Sequence, residues 1–168
     1  MATANNNLSD VDFDINLSQR SVARSVKVSL VVAKWNKEIT DGLKKGAVDA
    51  LLQLGMYERN INVVEVPGSF ELPFAAKQVI DNQEVDAVIC IGSVIKGETS
   101  HFDYVCQGVT YGIQKLNVNG DVPVIFCVLT DDNIQQSKDR SGGKHGNKGV
   151  EAAVTAIEMI QVKKDLSK

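Results

Sequence analysis

The sequence predicts a three-layer α/β/α sandwich around a doubly wound, four-stranded parallel sheet, preceded by an N-terminal arm strand. Three observations lead there. First, 168 residues with 43% hydrophobic and 23% charged composition allow one globular domain with a sizeable core, and exclude a disordered, collagen-like or disulfide-framed chain. Second, from Val26 onward short β-rich runs alternate with segments whose apolar residues recur at helical spacing. Third, residues 85–91 are the most apolar run in the chain, as expected for a central strand covered on both faces.

The elements follow in order. Val11, Phe13, Ile15 and Leu17 alternate with Asp12, Asp14 and Asn16, the period-two mark of a half-buried strand, and residues 18–25 are polar enough for a linker. Residues 1–25 are therefore read as an arm that lays one strand against something else, and 26–168 as a single α/β domain. Residues 26–33 form the first core strand. Ile39, Leu43, Ala47, Leu51 and Leu54 mark a helix closed by Gly55. Residues 61–66 are a strand stopped by Pro67-Gly68, and 73–80 a helix with Pro73 in its first turn, where a missing N–H is harmless. After the strand at 85–91, Phe102, Val105, Val109, Ile113 and Leu116 mark a third helix, and 122–129 a fourth strand. Thr130-Asp131-Asp132 can cap a short helix to about Arg140. A Gly-rich turn over 141–149 leads to a last helix carrying Ala153, Ile157 and Ile160.

Charge and composition exclude several functions. Lys plus Arg number 18 against 21 Asp plus Glu, a net −3 with no basic run, so no nucleic-acid surface is expected. No apolar stretch approaches the ~20 residues of a membrane span. The opening Met1-Ala-Thr-Ala-Asn-Asn-Asn lacks the basic flank and apolar run of a secretory signal, which points to the cytoplasm. Cys90, Cys106 and Cys127 each lie in apolar surroundings without close spacing, as reduced core thiols do.

In a sheet of order 2-1-3-4, ligands bind where the first and third strands lie side by side and their helices leave in opposite directions. The loops lining that crevice are Lys34-Trp35-Asn36, Gly68-Ser69-Phe70-Glu71 and the segment 92–100, which includes Gly92, Ser93 and Val94. Gly92-Ser-Val-Ile-Lys-Gly97-Glu98-Thr99 has the spacing of a nucleotide-binding phosphate loop, but Glu98 stands where that loop needs Lys and would repel a nucleoside triphosphate. A single phosphate at a helix N-terminus fits better, against the plainer reading of a strand-to-helix turn. His101 opens the next helix. A lone His is more often a packed surface residue, yet beside an anion loop it suits an acid–base role. Trp35, the only Trp, offers a stacking surface for a flat ring. Phe126 reads equally as core, and Glu71 as a helix-start acid. Arg140, Lys144, His145, Lys148 and Glu151 surround the Gly-rich turn, where the glycines imply a fixed backbone shape rather than a merely solvated basic turn. No spacing supplies converging metal ligands.

Five strings, in order and with matching gaps, resemble the lumazine synthase family. They are Lys34-Trp-Asn36, Val66-Pro-Gly-Ser-Phe-Glu-Leu-Pro73, Ile91-Gly-Ser-Val-Ile-Lys-Gly-Glu-Thr-Ser-His-Phe-Asp-Tyr104, Pro123-Val-Ile-Phe126 and Gly146-Asn-Lys-Gly149, within a match running from about Val26 to Ile160. The resemblance implies a flavodoxin-like fold and a transferase of riboflavin biosynthesis. It would condense 5-amino-6-(D-ribitylamino)uracil with 3,4-dihydroxy-2-butanone 4-phosphate to 6,7-dimethyl-8-ribityllumazine, releasing phosphate and water without cofactor or metal. It implies that Trp35 stacks on the pyrimidine, that Ser69, Phe70 and Glu71 hold the ribityl chain, that Gly97, Glu98 and Thr99 cradle the phosphate, and that His101 shuttles protons. Asn36, Gly92, Ser93 and Val94 complete the substrate-binding set. Phe126, Arg140, Lys148 and Glu151 would reach the site of an adjacent subunit, Arg140 binding the phosphate. The resemblance further implies homopentamers, in many members a shell of twelve pentamers and sixty subunits, and riboflavin synthase as a candidate partner. Members without shells often carry an insertion in the turn that here reads Gly142-Gly-Lys-His-Gly146, which has none. Cys127 departs from the Gly usual after the Phe. The competing reading is a non-catalytic flavin- or lumazine-binding or shell-forming storage protein on the same fold, which would need Trp35 and Glu71 but neither His101 nor Arg140.

Overall fold

The structure, a computed structural model, describes residues 17–167. Strands β1 (Val28–Ala33), β2 (Ile61–Val66), β3 (Ala87–Ile95) and β4 (Val124–Asp131) form one parallel sheet in the order β2-β1-β3-β4. The helices are α1 (Leu17–Ser25), α2 (Lys37–Gln53), α3 (Leu72–Asn82), α4 (His101–Asn119), α5 (Ile134–Arg140) and α6 (Lys148–Leu166). The predicted fold class and strand order are those observed.

Strand side chains alternate between two cores, one on each face of the sheet. Leu30, Val32, Ile89, Ile91, Cys127 and Leu129 pack with α1, α2 and α6, whereas Val31, Val88, Cys90 and Val128 pack with α3 and α4. All residues of β1 are buried, because β1 has a strand on each side and helices above and below. β4 is an edge strand. Beside it, between α4 and α6, runs an open groove of about 1090 Å³.

Several boundaries differ from the sequence reading. The strand expected over residues 11–17 lies outside the described residues except for Leu17, which opens a helix. The linker expected at 18–25 is that helix, α1. Val22, Ala23 and Val26 are buried in the core that α1 shares with α6, a stripe too short to stand out in a polar stretch. Helix α5 is capped by Asn133, whose side chain accepts from Gln136 N, rather than by Thr130-Asp131-Asp132. Asp131 is instead the last residue of β4 and accepts a 2.7 Å hydrogen bond from Ser137 Oγ. The Gly-rich turn is a small hairpin, β5 (Ser141–Gly143) and β6 (Gly146–Asn147), laid on α2. A Cβ at Gly42 would lie 2.6 Å from the Ser141 carbonyl oxygen, and one at Gly149 would collide with the Leu43 carbonyl.

Candidate active site

The sheet positions the site. Beyond the end of β1, Lys34 N donates to Val66 O at 2.8 Å and Trp35 N to Pro67 O at 3.1 Å, so the ladder to β2 continues past the strands and fixes the Trp35 backbone. The indole is 65% exposed and lies against Gly68, where a Cβ would come within 2.7 Å of it. Asn36 then turns into the left-handed region at φ 56°, ψ 47°, the only non-glycine with positive φ among the described residues. Such a residue costs about 1–2 kcal/mol unless something holds it, and Asn tolerates it best after Gly. Its Nδ2 donates to Ser93 O on β3 at 2.9 Å, tying the loop across the switch point between β1 and β3.

After β2, Ser69–Glu71 form a tight helical turn braced by Glu71, whose Oε2 accepts from Gly68 N at 3.0 Å. Ser69 is buried against Gly92, whose missing side chain leaves room for the Ser69 hydroxyl. Phe70 is 58% exposed and rests on Gly108 of α4. β3 stays paired with β4 as far as Ile95, opposite Asp131. Gly92, Ser93 and Val94 are therefore strand residues, and the loop expected over 92–100 shrinks to Lys96–Ser100. The first glycine of the phosphate-loop spacing sits inside the sheet. Gly97, Glu98 and Thr99 remain exposed, and a Cβ at Gly97 would meet nothing within 4 Å. His101 opens α4, exposed, its N–H directed at Thr99 Oγ1 at 3.4 Å.

A second group lies on the outer edge of β4. Phe126, 42% exposed, lines the groove with Arg140, Lys148 and Glu151. Lys148 Nζ and Glu151 Oε1 pair at 2.5 Å, each side chain about one-fifth exposed. Arg140 Nη1 donates to Gln136 O at 2.9 Å, which aims the guanidinium from the end of α5. Next to it, Gln135 and then Lys144 hold the Asp139 carboxyl below the usual carboxylate range. Neither Trp35, Phe70 nor His101 lines this groove. The candidate residues thus fall into two groups, the one on the loops after β1, β2 and β3 and the other lining the groove beside β4.

Residues 25–164 match the family model described as 6,7-dimethyl-8-ribityllumazine synthase. The chain belongs to the lumazine synthase family. Relatives bearing that enzyme's name include one from Christiangramia forsetii, 54% identical over 98% of this chain and 96% of its own length. Another, from Flavobacterium johnsoniae, is 53% identical over 99% of this chain and 86% of its own, and one from Porphyromonas gingivalis is 53% identical over 95% and 96%.

Against the lumazine synthase pattern, the Cys127 thiol turns away from the exposed face of Phe126 and directs its hydrogen at Lys148 O, 3.6 Å away. Burial pushes this thiol up to about 12, and pushes Cys90 higher still. Only thiolate alkylates readily. Iodoacetamide at neutral pH should therefore label no more than one thiol per folded chain, Cys106, and all three after unfolding, which mass spectrometry reads directly. Among the described residues no group of three or more His, Cys, Asp or Glu side chains is placed to hold a metal, and no described helix is long and apolar enough to cross a membrane. Sequence reasoning missed Ser137 and Asn147, buried or half-buried polar residues whose partners lie elsewhere in the chain. The signal for Asn147 was present, since Gly42 and Gly46, four residues apart in one helix, mark a face that another segment approaches closely.

Proposed function

We propose that this chain catalyses the condensation of 5-amino-6-(D-ribitylamino)uracil with 3,4-dihydroxy-2-butanone 4-phosphate to 6,7-dimethyl-8-ribityllumazine, with release of phosphate and water, in riboflavin biosynthesis in the cytoplasm. The near-full-length family match carries this reading. The exposed Trp35 ring provides a stacking face for the pyrimidine. Asn36, Ser69, Phe70 and Glu71, with Gly92, Ser93 and Val94 behind them, shape the ribityl pocket, and one Glu71 oxygen accepts from a hydroxyl while the other braces the turn. Gly97, Glu98 and Thr99 receive the phosphate at the N-terminus of α4. His101 takes a proton from the attacking amine and returns one as phosphate and water leave.

Phe126, Arg140, Lys148 and Glu151 of the next protomer close the site, Phe126 over the ring and Arg140 on the phosphate. The separation of the two groups of candidate residues supports this sharing and a ring assembly, with a sixty-subunit shell and riboflavin synthase as its further partners. Amine and ketone condense readily once oriented, so most of the acceleration comes from holding them in attack geometry. Purified protein mixed with both substrates should produce lumazine fluorescence and free phosphate together. Ligand binding without turnover would favour the storage reading instead.

A further inference from the structure

The hairpin between Arg140 and Lys148 has a single side chain at its centre. Asn147 Oδ1 accepts from Gly149 N at 2.8 Å, while Nδ2 donates to Gly42 O at 2.9 Å and to Ser141 O at 3.2 Å. Its amide therefore holds the residue after Arg140 and the residue after Lys148 against the same turn of α2, a segment 105 residues away in sequence. Helix α2 makes room for it. Gly46 sits where a Cβ would collide with all three atoms of the Asn147 amide group. A helix-interior glycine is unfavourable relative to alanine, so two of them in α2, at Gly42 and Gly46, need a packing reason, and this clamp supplies one.

We propose that Asn147 is a positioning residue for the phosphate-bearing substrate: it touches no substrate, and it sets where Arg140 and Lys148 stand in the groove beside β4. The inference rests on the lumazine synthase reading of those two side chains. Losing the amide frees the 141–149 segment at both ends, and the phosphate contact loosens while the Trp35 half-site, on other loops, does not change.

The test compares Asn147→Ala, Gly46→Ala and the double variant in the assembled protein. Each single change should raise KM for the butanone phosphate roughly tenfold, less than the 10² that a 1 Å misplacement of a reacting group can cost. KM for the pyrimidine should stay within about twofold. General damage would lower the active fraction, and so kcat, without this split. Gly46→Ala improves helix propensity and acts only by displacing the amide, so in the Asn147→Ala background it should add nothing. Equal KM values for variant and wild type, a loss in kcat alone, or additive effects would each overturn the proposal. Wild-type protein offers a readout that needs neither turnover nor a variant: hydrogen exchange should show Gly149 N–H protected, and rapid exchange there would equally overturn it. An inactive wild type would refute the proposed function, whereas exchange reports on the clamp alone.

Discussion

Replacing His101 with alanine should slow turnover by roughly 10²–10⁴-fold, the usual range for a general acid–base group, with both substrates still bound. The position explains the size. His101 is exposed at the first residue of α4, just after Gly97-Glu98-Thr99, so its ring stands beside the proposed phosphate loop and does not support the core. Its backbone N–H meets Thr99 Oγ1, and removing the imidazole leaves that contact and the helix start intact. The substitution should accordingly leave the melting temperature nearly unchanged, within the small range typical of surface positions. Condensation would still proceed from orientation alone, which is why activity falls rather than vanishes. Steady-state kinetics with an unchanged kcat would remove His101 from the mechanism.

The fold was largely legible because strand and helix periodicities differ and because β3 is covered on both faces. Residues such as Ile89 and Cys90, pointing to opposite cores, both had to be apolar. Helix α1 was not legible. Its burial depends on Val22, Ala23 and Val26 meeting α6, a contact between chain ends that no local pattern encodes. The end of β3 was misplaced for a related reason. Gly92 looks like a loop residue locally, yet pairing with β4 as far as Asp131 keeps it in the sheet, and the hydroxyl of Ser69 fills the space beside it. In the candidate site, the residues proposed to carry chemistry stood out in the sequence as aromatic, imidazole and glycine types following strands. The polar groups that hold them did not. Asn36, read in sequence as a substrate-binding residue, also donates its amide to Ser93 O and so supports a left-handed turn that no local pattern announces.

The proposed sharing of each site between neighbouring chains leads to the second large effect. Arg140→Ala should weaken use of the phosphate substrate roughly 10–10²-fold, the equivalent of one charge-assisted hydrogen bond at about 1.5–3 kcal/mol. Arg140→Lys should recover only part, since an ammonium cannot present the paired donors of a guanidinium. The decisive form of the experiment combines this variant with His101→Ala by co-expression. Arg140 lines the groove outside β4 with Phe126, Lys148 and Glu151, and His101 lies at the start of α4 away from that lining. If each site takes His101 from one chain and Arg140 from its neighbour in a closed head-to-tail ring, random mixing restores both groups at about a quarter of the sites. Mixed assemblies should then run at about a quarter of the wild-type rate, although either variant alone is severely impaired. Chains that were self-sufficient would give only the average of the two defective enzymes. A mixture no faster than that average would show that Arg140 serves its own His101, and the shared site would have to be abandoned.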